Sequence, residues 1–182
     1  TATIPPPPTL ERAKRNAQSY TETVQYFKEA GVRVVNMSWR YSAGAYEQLL
    51  AVNGVGETPE ERQKLAKEIF KIERDALYEA IAGAKEILFI CGSGNENNDA
   101  DFDSEGKKTS FTTEGKSVDF YANGYEVESF VPGGDRMNFS GTSMASPNVA
   151  NLAGKLIAVN PDLSVENVIA LIDKGSEVSE EG

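Results

Sequence analysis

The sequence predicts an α/β fold in which a mostly parallel sheet is flanked by helices. Amphipathic helical stretches at residues 10–30 and 58–83 each precede a short apolar run, at residues 32–37 and 87–90. Alternation of helix and strand along a chain is typical of parallel sheets with helices packed outside them.

The first helix follows four consecutive prolines, Pro5 to Pro8, which cannot form helix or central strand because proline lacks an amide donor. Apolar residues then recur at steps of three and four from Leu10 to Phe27, which predicts one buried helix face. Gly31 is expected to end this helix. The next run, VRVVNM, predicts a strand buried on both faces.

The second helix has a clear start signal. Thr58 can cap it, Pro59 suits its first position, and Glu61 completes a capping box. Gly83 is expected to end it. The apolar run ILFI then predicts a second strand, which leads into CGSGN at residues 91–95.

Shorter elements are expected in the rest of the chain. Strand-like stretches lie near residues 118–121 and 125–131. A helix is expected to begin at about Ser143 and to stop before Pro161, and a last one to end at about Gly175.

The carboxyl ends of parallel strands meet at one edge of a sheet, where ligands bind. We therefore expect Ser38-Trp39 and Gly94-Asn95, which follow the two apolar strands, to lie at that edge. The helix that begins near Ser143 could start beside them.

Composition excludes several classes of partner. The net charge of -10 over 182 residues argues against nucleic acid and anionic membrane surfaces, which both attract basic proteins. No apolar run approaches the 18 residues of a membrane-spanning helix. One cysteine, Cys91, excludes an internal disulfide and is expected to be a buried, inert thiol. With no histidine, these residues alone cannot perform Ser–His chemistry.

The segment FSGTSMASP, residues 139–147, carries the strongest chemical signal. A turn of small residues places Ser143 at a helix start, where free amides and the helix dipole favour negative charge. A nucleophilic serine needs this arrangement, because an oxyanion develops beside its own amide. The alternative is that Thr142 or Ser143 is only an N-cap.

Three blocks in order, GVRVVNMS at 31–38, GSGNE at 92–96 and GTSMASP at 141–147, resemble the subtilisin-like serine peptidases, family S8. The resemblance implies a partial subtilisin-like three-layer architecture. Residues 1–182 would be the C-terminal part of the catalytic domain, with a helical insertion at about 58–83. It implies that the intact protein is a serine endopeptidase acting on polypeptides.

The resemblance also implies roles for individual residues. Ser143 would attack the scissile carbonyl, and the Asn95 side chain with the Ser143 amide would hold the oxyanion. The walls around the substrate residue that precedes the cut would be formed by Ser38, Trp39, Arg40, Gly92, Ser93 and Gly94.

The family's aspartate and histidine lie in motifs upstream of the residues present here. An upstream segment of the same protein is therefore the expected partner, and this chain alone is expected to be inactive. The alternative is a pseudoprotease that binds peptides or proteins without cleaving them. Only the resemblance favours a secreted or cell-envelope location.

Further expectations concern loops. The family has an additional strand after the GSGNE block, so either that strand was lost, which would leave an apolar slot, or residues are missing near 103/104. No cofactor is expected, although the acidic run Asp99, Asp101 and Asp103 could be a calcium loop or a solvated loop. Arg40, where relatives often have glycine, either favours acidic substrates or points to solvent.

Overall fold

The computed structural model describes residues 5–39, 42–94 and 119–176. These residues divide into two compact units. The first, the helical unit, contains the described residues up to Val32 and those from Ser42 to Lys85. The second, the sheet unit, contains the remaining described residues from Arg33 onward.

The helical unit consists of α1 (Leu10–Glu29), α2 (Ala43–Val52) and α3 (Pro59–Ala82). Each helix begins at a hydroxyl side chain that accepts a hydrogen bond from the backbone amide three residues later. Gly31 follows α1 with a φ of 68°, a left-handed conformation in which glycine has no Cβ to strain. Residues 5–8 form no regular element, as their prolines predict.

One core holds the three helices of this unit together, and its buried side chains are Ala13, Tyr46, Leu50, Ala66 and Ile69. An acidic residue, Glu73, is buried beside this core, with 6% of its surface exposed. Its carboxyl oxygens accept hydrogen bonds from the Asn16 side-chain amide, at 2.7 Å, and from the Tyr46 hydroxyl. Glu73 therefore connects all three helices of the unit.

The sheet unit is built around two parallel strands, β1 (Val34–Met37) and β2 (Leu88–Cys91). Two helices follow in the chain, α4 (Thr142–Val159) and α5 (Val165–Gly175), and α4 contacts both strands. The core between them consists of Ala153, Val168 and Ile172, with Val34, Leu88 and Ile90 packed against it.

Arg33, the residue before β1, links this end of the sheet to the loop between α4 and α5. Its guanidinium donates to the carbonyl oxygens of Glu86, at 3.3 Å, Pro161, at 3.0 Å, and Leu163. These carbonyls lie outside helices and strands. A single side chain therefore provides hydrogen-bond donors both to the loop before β2 and to the loop between α4 and α5.

An antiparallel hairpin precedes α4 in the chain. Strands β3 (Val127–Phe130) and β4 (Arg136–Phe139) pair from Val127↔Phe139 to Phe130↔Arg136. The hairpin is largely exposed. Arg136 lies over the Phe130 ring, 4.7 Å from its centroid, and bonds Glu128 at 2.8 Å.

The predicted α/β class is confirmed, with small sheets flanked by helices and parallel pairing of the two apolar strands. The strand expected near residues 118–121 is wrong for its described part, since residues 119–121 form no strand. Helix α2 and strand β4 were not expected. The helix predicted at 58–83 is present as α3, and its status as an insertion stays a prediction.

None of the helices within the described ranges is both long and apolar enough to span a membrane.

Candidate functional site

The two parallel strands bring separate segments of the sequence to one edge of the sheet. Ser38 follows β1, and Gly92, Ser93 and Gly94 follow β2. Ser143, the second residue of α4, lies at the same edge, because its side chain contacts Ser38. This is the placement that the order of the predicted elements requires.

The start of α4 depends on a glycine. Gly141 has φ 151° and ψ 162°, a combination that is essentially restricted to glycine. Its carbonyl accepts from the amides of Met144, at 2.9 Å, and Ala145, at 3.3 Å. Ser143 lies at the second helical position, where an amide has no acceptor within the helix. This amide and the positive end of the helix dipole can therefore stabilise an anion beside the Ser143 hydroxyl.

The Ser143 side chain is half-buried and donates a hydrogen bond to a backbone carbonyl. Its Oγ lies 3.2 Å from the carbonyl oxygen of Ser38. A carbonyl oxygen holds the hydroxyl in place but cannot remove its proton, and the chain has no histidine to do so. In this arrangement the serine is positioned but not activated.

Thr142 joins the residues after β2 to the start of α4. It is buried, at 4% exposure, and its Oγ1 accepts from the Gly94 amide at 3.2 Å. A Cβ placed on Gly92 would lie 2.8 Å from Thr142 Oγ1 and 3.1 Å from the Thr142 carbonyl carbon. The backbone at Gly92 thus approaches the residue before Ser143 more closely than any side chain permits.

Replacing Gly92 with alanine is expected to destabilise the protein by about 1–3 kcal/mol and to displace Ser143. The new methyl group would collide with Thr142 backbone as well as side-chain atoms, and backbone cannot rotate away. Urea denaturation of the intact protein would measure the loss. Gly154→Ala is the matched control, because a Cβ at Gly154 in α4 meets nothing within 4 Å. Equal stabilities of the two variants would contradict the prediction.

A hydrogen-bond network beside Ser143 involves two residues that sequence reasoning missed, Asn36 and Ser146. The Asn36 amide donates to Ser38 Oγ at 2.9 Å, and Ser146 Oγ donates to Asn36 Oδ1 at 2.8 Å. Ser146 Oγ also lies 2.9 Å from Ser38 Oγ. Both missed residues lie within the recognised sequence blocks, which was the only signal available for them.

An apolar groove of about 220 Å³ runs beside β2 and reaches the site. It is lined by β2 with Gly92 and Ser93, by residues 119, 120 and 122, and by side chains of α4 and α5. Cys91 lies on its wall and is exposed, so the expectation of a buried thiol is wrong. Among the described strands only β1 pairs with β2.

Although the residue as a whole is exposed, its thiol is partly removed from water, and this desolvation, with the negative charge of Asp119 as the second cause, raises the pKa of Cys91. A thiol with a raised pKa is less ionised at neutral pH than an ordinary one, and the thiolate is the nucleophilic form. Cys91 is therefore a poor candidate for the nucleophile of this site.

Trp39 is described and is 45% exposed at the carboxyl edge. Arg40 and Asn95 lie outside the described residues, so the meeting of Asn95 with Ser143 stays a prediction. The preceding residue, Gly94, is in contact with Thr142.

The predicted loop features also lie outside the described residues, namely Asp99, Asp101, Asp103 and the suspected break at 103/104. Within residues 5–39, 42–94 and 119–176, no three side chains of the histidine, cysteine or acidic type are grouped so as to hold a metal ion.

Comparison with known proteins agrees with the sequence blocks. The family model described as the subtilase family, peptidase S8, matches residues 7–177. No curated protein matched the chain.

Three solved structures with a similar fold are proteases. The S41 psychrophilic protease has a TM-score of 0.61 at 21% identity, over 89% of this chain and 55% of that one. The prenylagaramide maturation protease PagA has a TM-score of 0.55 at 18% identity, over 80% and 50% of the two chains. The self-cleaved protease domain of PatA has a TM-score of 0.53 at 18% identity, over 78% of this chain and 51% of that one. The chain thus spans about half the length of these proteins.

Proposed function

The chain belongs to the subtilase family, and from this premise we propose that the intact protein is a serine endopeptidase that acts through an acyl-enzyme. One observation carries the proposal: Ser143 lies in the first turn of an 18-residue helix, at the carboxyl edge of two parallel strands. There its hydroxyl stands next to an amide that has no helical acceptor. The alternative that Thr142 or Ser143 is only an N-cap does not fit α4, because the N-cap residue of this helix is Gly141.

In the proposed reaction Ser143 Oγ attacks the carbonyl carbon of a peptide bond. The carbonyl oxygen becomes an oxyanion, which accepts hydrogen bonds from the Ser143 amide and from the Asn95 side-chain amide. Collapse of the intermediate breaks the C–N bond and leaves an ester on Ser143, which water then hydrolyses. Gly94 supports this assignment, because its bond to Thr142 holds the residue before Asn95 against the start of α4.

The proton of Ser143 needs a base, and this chain has no histidine to serve as one. We assign that role to a histidine, oriented by an aspartate, from an upstream segment of the same protein. The Ser143 hydroxyl must give up its hydrogen bond to the Ser38 carbonyl oxygen, which lies 3.2 Å from Oγ, when the imidazole takes the proton. Transfer back to the departing amine completes acylation, so neither a metal ion nor another cofactor is part of the proposal.

The substrate is proposed to be a polypeptide bound along the same edge. Ser38, Trp39 and Arg40 would form one wall around the residue that precedes the cut, and residues 92–94 the other. An exposed Trp39 ring at this position offers a large apolar contact to a substrate side chain.

The second candidate is a pseudoprotease that binds peptides at this edge without cleaving them. One observation favours it: the Ser143 hydroxyl is bonded to a backbone carbonyl rather than to a base. Binding would use the same walls, so the two candidates differ only in turnover.

Burst kinetics with an activated ester, measured on the purified full-length protein, separates these candidates. An acyl-enzyme that forms faster than it hydrolyses releases one equivalent of alcohol per active site before the steady state. The proposed function predicts this burst and subsequent cleavage of a denatured polypeptide. A folded full-length protein that binds peptides but shows neither burst nor cleavage would establish the pseudoprotease.

A further inference from the structure

We propose that Ser38 is a positioning residue whose side-chain hydroxyl fixes the backbone of the nucleophile. This inference rests on the proposed function and deepens it. The family resemblance gives Ser38 a different role, as part of a wall around the substrate, and that role depends on the position of Ser38 rather than on its hydroxyl. The role proposed here requires the hydroxyl.

The carbonyl of Ser143 lacks its usual helical partner. In an α-helix the amide four residues later would donate to it, but that residue is Pro147, which has no amide hydrogen. The Ser38 hydroxyl donates to this carbonyl instead, at 2.9 Å. A donor beyond the end of β1 thus completes the first turn of α4 at the residue that carries the nucleophile.

Two neighbours orient the Ser38 hydroxyl. The Asn36 amide donates to Ser38 Oγ at 2.9 Å and occupies one of its lone pairs. Ser146, buried at 4% exposure, holds the other end of the Asn36 side chain through the 2.8 Å bond to Oδ1. Since the Asn36 amide and the Ser146 proton are already directed as described, the single hydroxyl proton of Ser38 faces two acceptors, the Ser143 carbonyl and Ser146 Oγ, each 2.9 Å away.

Ser38 therefore contacts Ser143 at two points. Its hydroxyl holds the Ser143 carbonyl, and its own carbonyl accepts from the Ser143 hydroxyl. Loss of the side-chain contact would free the first turn of α4 to shift relative to the sheet edge. A misplacement of about 1 Å at a reacting group can cost on the order of 10² in rate.

The test is Ser38→Ala in the full-length protein, with steady-state kinetics on a peptide substrate and active-site titration to count folded enzyme. We expect kcat to fall by about 10- to 100-fold with KM changed less than about threefold, because alanine keeps the backbone that faces the substrate. Ser129→Ala, at an exposed serine of β3, is the control and should match the wild type.

A second change tests the mechanism itself. Pro147→Ala restores a helical amide that can donate to the Ser143 carbonyl, so the double variant Ser38→Ala/Pro147→Ala should recover about fivefold or more of the lost kcat. A loss confined to KM, a kcat within twofold of the wild type, or no recovery in the double variant would overturn the inference.

If Ser38→Ala does not fold, the variants Ser38→Thr and Ser38→Val are compared instead. Threonine and valine have the same shape as each other, and only threonine carries a hydroxyl. A threonine variant at least tenfold faster than the valine variant supports the inference, and equal rates overturn it. An inactive wild type overturns the proposed function and this inference together. An active wild type with an unaffected Ser38→Ala overturns the inference alone.

Discussion

Replacing Ser143 with alanine in the full-length protein is expected to reduce peptide-bond hydrolysis on the order of 10⁶-fold, the loss measured when the nucleophile is removed from a subtilisin. The reason is chemical, because the other hydroxyl in this first turn, that of Thr142, is buried and accepts from the Gly94 amide. Cys91, the single thiol in the chain, has a raised pKa and is the last residue of β2. Turnover of a fluorogenic peptide measures the effect.

The variant must keep its fold for that result to be informative. Ser143→Ala removes one half-buried hydroxyl whose acceptor, the Ser38 carbonyl, has a second lone pair, so we expect a stability change below about 1 kcal/mol. Ser19→Ala, at an exposed serine of α1, is the matched control and should keep full activity. Retention of more than about 1% of activity by Ser143→Ala would show that another group is the nucleophile.

Replacing Glu73 with alanine is expected to lower the free energy of unfolding by about 2–4 kcal/mol. The Asn16 amide and the Tyr46 hydroxyl both donate to this buried carboxyl group, and neither would keep this acceptor. The lost side chain would also leave a void beside the helical core. Since Glu73 connects α1, α2 and α3, the loss affects the whole helical unit.

Urea denaturation of the full-length protein, followed by far-ultraviolet circular dichroism, measures this loss. Glu68→Ala is the control, because Glu68 lies on the same helix and is exposed. It should change stability by less than about 0.5 kcal/mol. A Glu73→Ala variant as stable as Glu68→Ala would show that the carboxyl group contributes nothing net to the packing of the helices.

The features that the sequence predicted well are those set by local chemistry. The start of α3 was predicted because Thr58, Pro59 and Glu61 act within one turn, and the structure has Thr58 Oγ1 accepting from the Glu61 amide at 3.2 Å. The parallel pairing of β1 and β2 followed from apolar runs separated by helix. The position of Ser143 at a helix start followed from the small residues before it.

The features that the sequence did not predict depend on distant residues. Helix α2 buries only Tyr46 and Leu50 and has no clear division into polar and apolar faces, so its stability comes from packing on α3. The exposed strand β4 is stabilised by its partner β3 rather than by an apolar pattern. The bond from Ser38 to Ser143 joins residues 105 positions apart, and no local pattern contains that information.

Covalent labelling of the full-length protein with a fluorophosphonate, followed by peptide mapping, tests most directly whether Ser143 is an activated nucleophile. Fluorophosphonates react with serine hydroxyls that a base and an oxyanion site have activated, and unactivated hydroxyls remain unmodified. The account predicts one phosphonyl group per folded molecule, on the tryptic peptide that contains Ser143. A folded, full-length protein that stays unlabelled, or carries the label on a different residue, would contradict it.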